Sequence, residues 1–347
     1  MPVESLLRRP RKMLRMQKFE FAILGAGAMG SILGAHLARA GHSVALLTRG
    51  WRAEQVRSEG LRVTGLVRFS APINVIDEAA RLREAQVLVV ATKAIGTAES
   101  LKPLADAKIG YAFSVQNGVL KNDLLEAAFG ADHVLGALAN MSGELLPSGE
   151  VLFTRNVSLQ IGALRRGDLE AVRSLAQTID ASGVRSAAVP DIAAREWSKF
   201  AAWVGMAGVS ITTRAVTWKY LMDPDAALVL VRLIREVREL AARAGVGFTD
   251  DVVFPVATLC TGTEKAAVRV LHDIGAHFRD HSPEHRLSAH QDIDAGRPLE
   301  VEETLGHAAR TAARMGLSLP LLDAVYRIAA AIDRTSKAKG GVPPSHR

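Results

Sequence analysis

The spacing of apolar and polar positions changes once along the chain. Up to about residue 190, short apolar runs of strand length alternate with stretches of helical period. Phe19–Leu24, Val44–Leu47, Val87–Ala91, Ala112–Val115 and Val134–Leu138 are predicted strands. Val87–Ala91 shows no polar alternation, so it is expected to be buried on both faces. Leu61–Val63 and Phe69–Val75 are predicted as shorter strands, and Val151–Phe153 and Val157–Ile161 have hairpin-like spacing. Helices are predicted over Ser31–Ala40, Arg52–Glu59 and Leu169–Ala181, the first two closed by Gly41 and Gly60, with a last strand near Arg185–Val189.

Pro190-Asp191 then breaks the pattern: proline ends the preceding strand, and Asp191 is a good N-cap for a helix starting at the next residue. Beyond it the period is helical almost throughout. Leu230, Leu233, Ile234, Val237, Leu240 and Ala241 share one helix face. Further helices are predicted near Glu264–His277, Pro283–Asp294, Glu302–Met315 and Pro320–Ile332. Alternating strands and helices followed by helices alone predict α/β then all-α: an N-terminal doubly wound, mostly parallel sheet and a helical C-terminal domain. The expected division is a basic extension over 1–17, a nucleotide-binding domain over 18–190, a helical domain over 191–335 and a flexible tail over 336–347.

Composition adds limits. The chain has 347 residues, enough for two domains with cores of their own, and it is 48% hydrophobic and 23% charged, as globular proteins are. Its single cysteine, Cys260, excludes an internal disulfide framework and suits a reducing, cytoplasmic compartment. The uncharged stretch Phe200–Thr213 is too short to span a bilayer, and no membrane segment is expected. The first fifteen residues carry +4 of the formal net charge of +7. That leader lacks the apolar core of a signal peptide. A nucleic-acid arm and a transit peptide are alternatives to the simpler reading, a flexible extension with Met16 just before the first strand. The rest of the chain has no basic stripe with interleaved aromatics, so nucleic-acid binding is not expected.

The chemistry begins where the first strand runs into Gly25-Ala26-Gly27-Ala28-Met29-Gly30 and on into a helix. This is the strand–turn–helix setting of a dinucleotide site. Gly25 permits the turn, Gly27 admits a pyrophosphate near the backbone, and Gly30 lets the helix pack on the sheet. The free N–H groups of the helix start favour phosphate. The next strand ends at Thr48-Arg49-Gly50, where an NAD-preferring fold usually has Asp or Glu. Arg49, with Arg52 as a second candidate, can pair with a 2′-phosphate, which predicts NADP(H).

Other polar residues are expected at the carboxyl ends of the strands, where such sheets bind ligands. Thr92-Lys93 follows one strand and Gln116-Asn117-Gly118 another. In the helical half, Lys199 lies among Trp197, Phe200, Ala201, Ala202 and Trp203. A lysine there either extends to the surface or is buried, with the lowered proton affinity a proton donor needs near neutral pH. Ser288 to Glu300, SAHQDIDAGRPLE, is dense in charge and by itself fits a solvated helix–loop–helix.

Together these motifs resemble the 2-dehydropantoate 2-reductase (ketopantoate reductase) family, from about Phe19 to Ile332: the GAGAMG turn, TKA after a buried strand, QNG, W-x-K-F and S-x-x-QDI-x-AGRP-x-E, in order. The resemblance implies NADPH-dependent reduction of a 2-oxo acid, a small-molecule substrate, in a cleft between a Rossmann-type domain and a helical domain, without a metal. It implies that Lys199 donates the proton, that Asn117 contacts nicotinamide and substrate, and that Lys93 lies near the cofactor. Ser288 is implied as a substrate carboxylate ligand, and Glu300 as a contact to the cofactor ribose close to the lysine. The family pattern has Asn four and eight residues after the lysine, where this chain has Trp203 and Ala207, and His285 replaces another Asn. These changes keep the reaction type and put the usual substrate in question, since substrate hydroxyls lose their amide partners. Alternatives are a paralogue acting on a more apolar 2-oxo or 2-hydroxy acid, and a non-catalytic NADP-binding sensor; the sensor has no use for Lys199 and Glu300. A homodimer through the apolar helical half is a further expectation.

Overall fold

The computed structural model describes residues 18–165, 169–252 and 254–337. In chain order the first half comprises β1 (Lys18–Leu24), α1 (Ala28–Arg39), β2 (Val44–Leu47), α2 (Trp51–Glu59), β3 (Leu61–Gly65), β4 (Phe69–Ala71), β5 (Asn74–Ile76), β6 (Glu84–Val90), α3 (Thr97–Leu101), β7 (Lys108–Ser114), α4 (Leu120–Phe129), β8 (Leu135–Leu145), β9 (Val151–Ala163), α5 (Leu169–Ala181) and β10 (Ser186–Ala188). The second half is helical: α6 (Ile192–Thr213), α7 (Thr217–Met222), α8 (Pro224–Arg243), α9 (Val256–Leu259), α10 (Glu264–His281), α11 (Ser288–Asp294), α12 (Leu305–Arg314) and α13 (Pro320–Lys337).

The first sheet runs β5-β2-β1-β6-β7, and all its pairs are parallel. Its central strands are apolar on both sides because helices and a second sheet cover them, giving separate clusters around Phe21, Ile23 and Leu46 and around Ala22, Leu88 and Ala112. The second sheet, β10-β9-β3-β4 with β8 against β9, is an addition to the sequence reading. Phe69–Val75 is not one strand: Pro72 interrupts it, so β4 joins the second sheet and β5 the first. Val151–Phe153 and Val157–Ile161 are not two strands of a hairpin either. They belong to the single strand β9, whose partner across the turn is β8, with register shifts near Asn140 and Ser142. The bulged register hides the alternation that marks one long strand.

Helix α6 is buried on all sides from Phe200 to Ile211, as a helix must be when it is the axis of its half. Gly205 and Gly208 let Leu230 and Val325 come close, since a Cβ would stand 3.2 and 2.7 Å from their side chains. Asp191 takes the N-cap position, but its carboxylate accepts from Arg195 Nε (2.7 Å) rather than from the backbone. The Pro283–Asp294 helix is shorter than expected and begins at Ser288, whereas α13 continues past Ile332 to Lys337. The 1–17 extension and the tail beyond Lys337 lie outside the described residues. Among the described residues no helix is long and apolar enough to cross a membrane. Among the described residues, exposed large hydrophobics are scattered, with Ile328 in the helical half, and no cluster of them marks the expected homodimer surface there.

Candidate active site

The glycine turn has the geometry its spacing implies. Gly25 has φ +107°, and a Cβ there would meet Thr92 at 2.8 Å. A Cβ on Gly30 would stand 2.0 Å from Gly25 O, so α1 can start against the turn only if that residue is glycine. Gly27 has open space within 4 Å of where a Cβ would be, is exposed, and caps α1 without any side-chain bond. Ala28 and Met29 follow at the half-buried start of that helix, which carries no acidic residue in its first turn. Open space at a helix start whose first N–H groups take no intrahelical partner is a fit for a dinucleotide pyrophosphate.

Arg49 is exposed just beyond β2, as a reader of a 2′-phosphate would be. Arg52 is not available for that role. It is 5% exposed and fastens the turn from below, donating to Ala26 O (3.1 Å), Ser31 Oγ (2.8 Å) and Gly149 O (2.7 Å). Asp77 follows β5, the neighbour of β2, but its carboxylate is held by Arg57 (2.6 Å).

The two strand-end motifs are tied together. The two N–H groups of Gln116 Nε2 face three oxygens, Thr92 Oγ1 (3.1 Å), Lys93 O (3.0 Å) and Thr97 Oγ1 (2.8 Å), so this glutamine is a brace between loops. Asn117 beside it is half-buried and faces a small cavity. Lys93 reaches the helical half and pairs with buried Asp292, which also accepts from Arg297 Nε (2.7 Å). Glu300 accepts from Ala94 N (2.6 Å). Burial raises its carboxyl's proton affinity, against the Ala94 N–H and the Lys93 charge. Lys93 and Glu300 therefore form a clasp across the cleft from both sides.

Lys199 sits on α6 and spends one of its three N–H groups on Ala139 O of β8 (2.8 Å). Burial, with Lys121 next in weight, lowers its pKa to about 8, while Glu196 opposes the shift. Glu196 is thus the carboxylate that acts on Lys199, and Glu300 is turned to Ala94. Trp203, one turn on, is 8% exposed, and its indole N–H has no partner. Lys199, Trp203 and Asn117 share a cavity of about 10 Å³, room for one water. Ala207 is fully covered, and Ser288 opens α11 with an exposed side chain. His285 is bound to Thr217 Oγ1 (2.8 Å), and burial and the Arg155 charge lower its proton affinity.

Sequence reading passed over Lys121, Glu196 and Arg155. Lys121 comes three residues after QNG and Glu196 three residues before Lys199, so closeness to the motifs was their one signal. Arg155 had none, because only the β8–β9 pairing brings its strand to Lys199. Among the described residues there is no cluster of His, Cys, Asp and Glu able to hold a metal.

Comparison with known proteins fits this geometry. Residues 21–166 match the model "Ketopantoate reductase PanE/ApbA" and residues 191–333 its C-terminal counterpart. A curated 2-dehydropantoate 2-reductase of Archaeoglobus fulgidus is 26% identical over 304 residues, covering 88% of this chain and 94% of that protein. Among solved structures, a PanE/ApbA family ketopantoate reductase from Ralstonia eutropha JMP134 superposes with TM-score 0.76 at 21% identity, over 92% of this chain and all of that one. D-mandelate dehydrogenase with NADH gives 0.75 at 19%, over 92% and 99%. At these identities the two structures show the shared fold. The chain belongs to the ketopantoate reductase family and is an oxidoreductase of the class acting on CH–OH groups.

The glycine turn gives a stability test. Gly30→Ala should cost about 1–3 kcal/mol or more in urea unfolding, from the collision with Gly25 O. Gly27→Ala should stay within about 1 kcal/mol of the parent. Equal effects would show that the turn is not packed as described.

Proposed function

We propose that this protein uses NADPH to reduce a 2-oxo acid to the 2-hydroxy acid, and that its preferred substrate has a more apolar side chain than ketopantoate. The observation that carries the reading is the Lys199 amine, buried at the seam of the two halves with its pKa lowered to about 8, beside Asn117 and one turn from Trp203. A bound nicotinamide would supply the hydride. As it reaches the keto carbon, the carbonyl π pair moves onto oxygen, and an ammonium at that oxygen stabilises the charge and gives up a proton. Lys199 is left as the neutral amine and regains its proton from solvent.

In this reading Gly25 to Gly30 hold the pyrophosphate, Arg49 reads the 2′-phosphate, and Lys93 and Glu300 close over the cofactor. Asn117 and Ser288 orient the substrate. Support for NADPH over NADH is the exposed Arg49, with Asp77, the nearby carboxylate, already paired to Arg57. Trp203 supports the substrate preference: the indole fills space and offers a single unpartnered N–H in place of an amide's donors and acceptors. Ala207, fully covered, restores none of them. We place the division of the chain into cofactor and catalytic domains at Pro190-Asp191, and the protein in the cytoplasm, where buried, unpaired Cys260 stays reduced.

The decisive assay monitors NADPH oxidation with a panel of 2-oxo acids. Lys199→Ala should lower turnover by about 10²–10⁴-fold with NADPH binding kept within a few-fold. Near-normal turnover would remove Lys199 from the mechanism. The protonated amine is the active form, so the rate of reduction should be level below pH about 8 and fall as pH rises through it. A profile level to pH about 10 would contradict the assignment.

Arg49→Ala should raise the Michaelis constant for NADPH by about ten- to a hundredfold, the cost of a lost charge-assisted bond, and leave that for NADH little changed. Equal weakening would exclude Arg49 as the 2′-phosphate reader. Highest catalytic efficiency on ketopantoate in the parent protein would overturn the role given to Trp203.

A further inference from the structure

Behind Lys199 lies a polar group that the reaction does not itself use. Lys121 and Glu196 side chains are 4% and 3% exposed, with Lys121 Nζ 3.0 Å from Glu196 Oε1. Lys121 also donates to Ser114 O (3.0 Å) and Ala137 O (2.5 Å), so its three N–H groups face three oxygens. Glu196 accepts from Ala137 N (2.9 Å) and from Asn122 Nδ2 (2.6 Å). Such a pair contributes little net stability compared with apolar residues of the same volume, because both charges have been taken out of water. Stability alone is a weak reason for it.

Its place gives a better one. Lys121 is on the first turn of α4, four residues after Asn117, and Glu196 is one turn before Lys199 on α6. Strand β8 lies between them, with Ala137 O accepting from Lys121 and Ala139 O accepting from Lys199. All four side chains line the one-water cavity.

We propose that Lys121 and Glu196 are positioning residues of the reductase site, a buried ion pair that holds the loop of Asn117 against the helix of Lys199 and balances the charge beside the Lys199 amine. The proposal rests on reading Lys199 as the proton donor. The charged groups acting on that amine are Lys121 from α4, Glu196 from α6 and Arg155 from β9. Lys121 and Arg155 push its proton affinity down, and Glu196 holds it up. Neutralising one member of the pair must therefore move Lys199 one way, and neutralising the other must move it the opposite way. A pair that affected Lys199 through packing alone would have no such sign rule.

The test needs no turnover. Lys199 is titrated in the full chain by competitive acetylation with acetic anhydride between about pH 6 and 11, read by peptide mass spectrometry. The parent midpoint is expected at about 8. Glu196→Gln should lower it and Lys121→Met should raise it, each by about half a pH unit or more. The double variant Lys121→Met/Glu196→Gln should return close to the parent. Shifts in the same direction, or none, overturn the proposal. Should Lys121→Met fail to fold, Glu196→Gln decides alone: a lowered midpoint supports the proposal and an unchanged or raised one overturns it. In active preparations, the alkaline limb of the turnover profile should track the same shifts while NADPH affinity stays within about threefold. Failure to reduce any 2-oxo acid would count against the reductase reading, whereas the labelling result decides the role of the pair.

Discussion

Helix α6 brings Glu196 and Lys199 against strand β8, and β8 and α4 supply the hydrogen-bond partners that hold them. Glu196 takes Ala137 N–H, Asn122 and Lys121, and Lys199 takes Ala139 O. These bonds cannot form unless the helical half lies on the second sheet in one register. The same contact puts the Lys199 amine beside Asn117, at the carboxyl end of the first sheet, where the glycine turn opens. The glycine turn, Lys199 and the Asn117 loop are brought together by one seam, and an uncompensated charge in that seam would be costly.

The clasp on the solvent side differs in character. Lys93 remains half exposed while its partner Asp292 is buried, and Glu300 holds one backbone N–H of the opposite loop. Exposed or partly exposed ion pairs are worth little and exchange readily with water. The deep seam fixes the arrangement, and the outer clasp adds a weaker, solvent-facing tie between the same halves. The cavity beside Lys199 has room for one water.

Much of this was legible in the sequence, for reasons that differ by element. The parallel sheet was readable because its buried strand segments, such as Val87–Val90 of β6, are continuous apolar runs between helical periods. The glycine turn was readable because backbone contacts at Gly25 and Gly30 exclude any side chain. The second sheet was not, since β8 and β9 lose their alternation at register shifts and Pro72 divides β4 from β5. Arg52 and Arg49 are alike in sequence; only burial shows that Arg52 braces the turn while Arg49 is free to meet a ligand. Long-range pairs such as Lys121–Glu196 and Lys93–Asp292 have no local pattern to announce them.

The central claim is that the buried Lys199 amine meets the reacting oxygen. The most direct measurement is a crystal structure of the protein with NADP⁺ and an aryl 2-oxo acid. The account predicts Lys199 Nζ within about 3 Å of the keto oxygen, with the Lys121–Glu196 pair intact behind it. A keto group bound elsewhere, with the amine still held on Ala139 O alone, would contradict it.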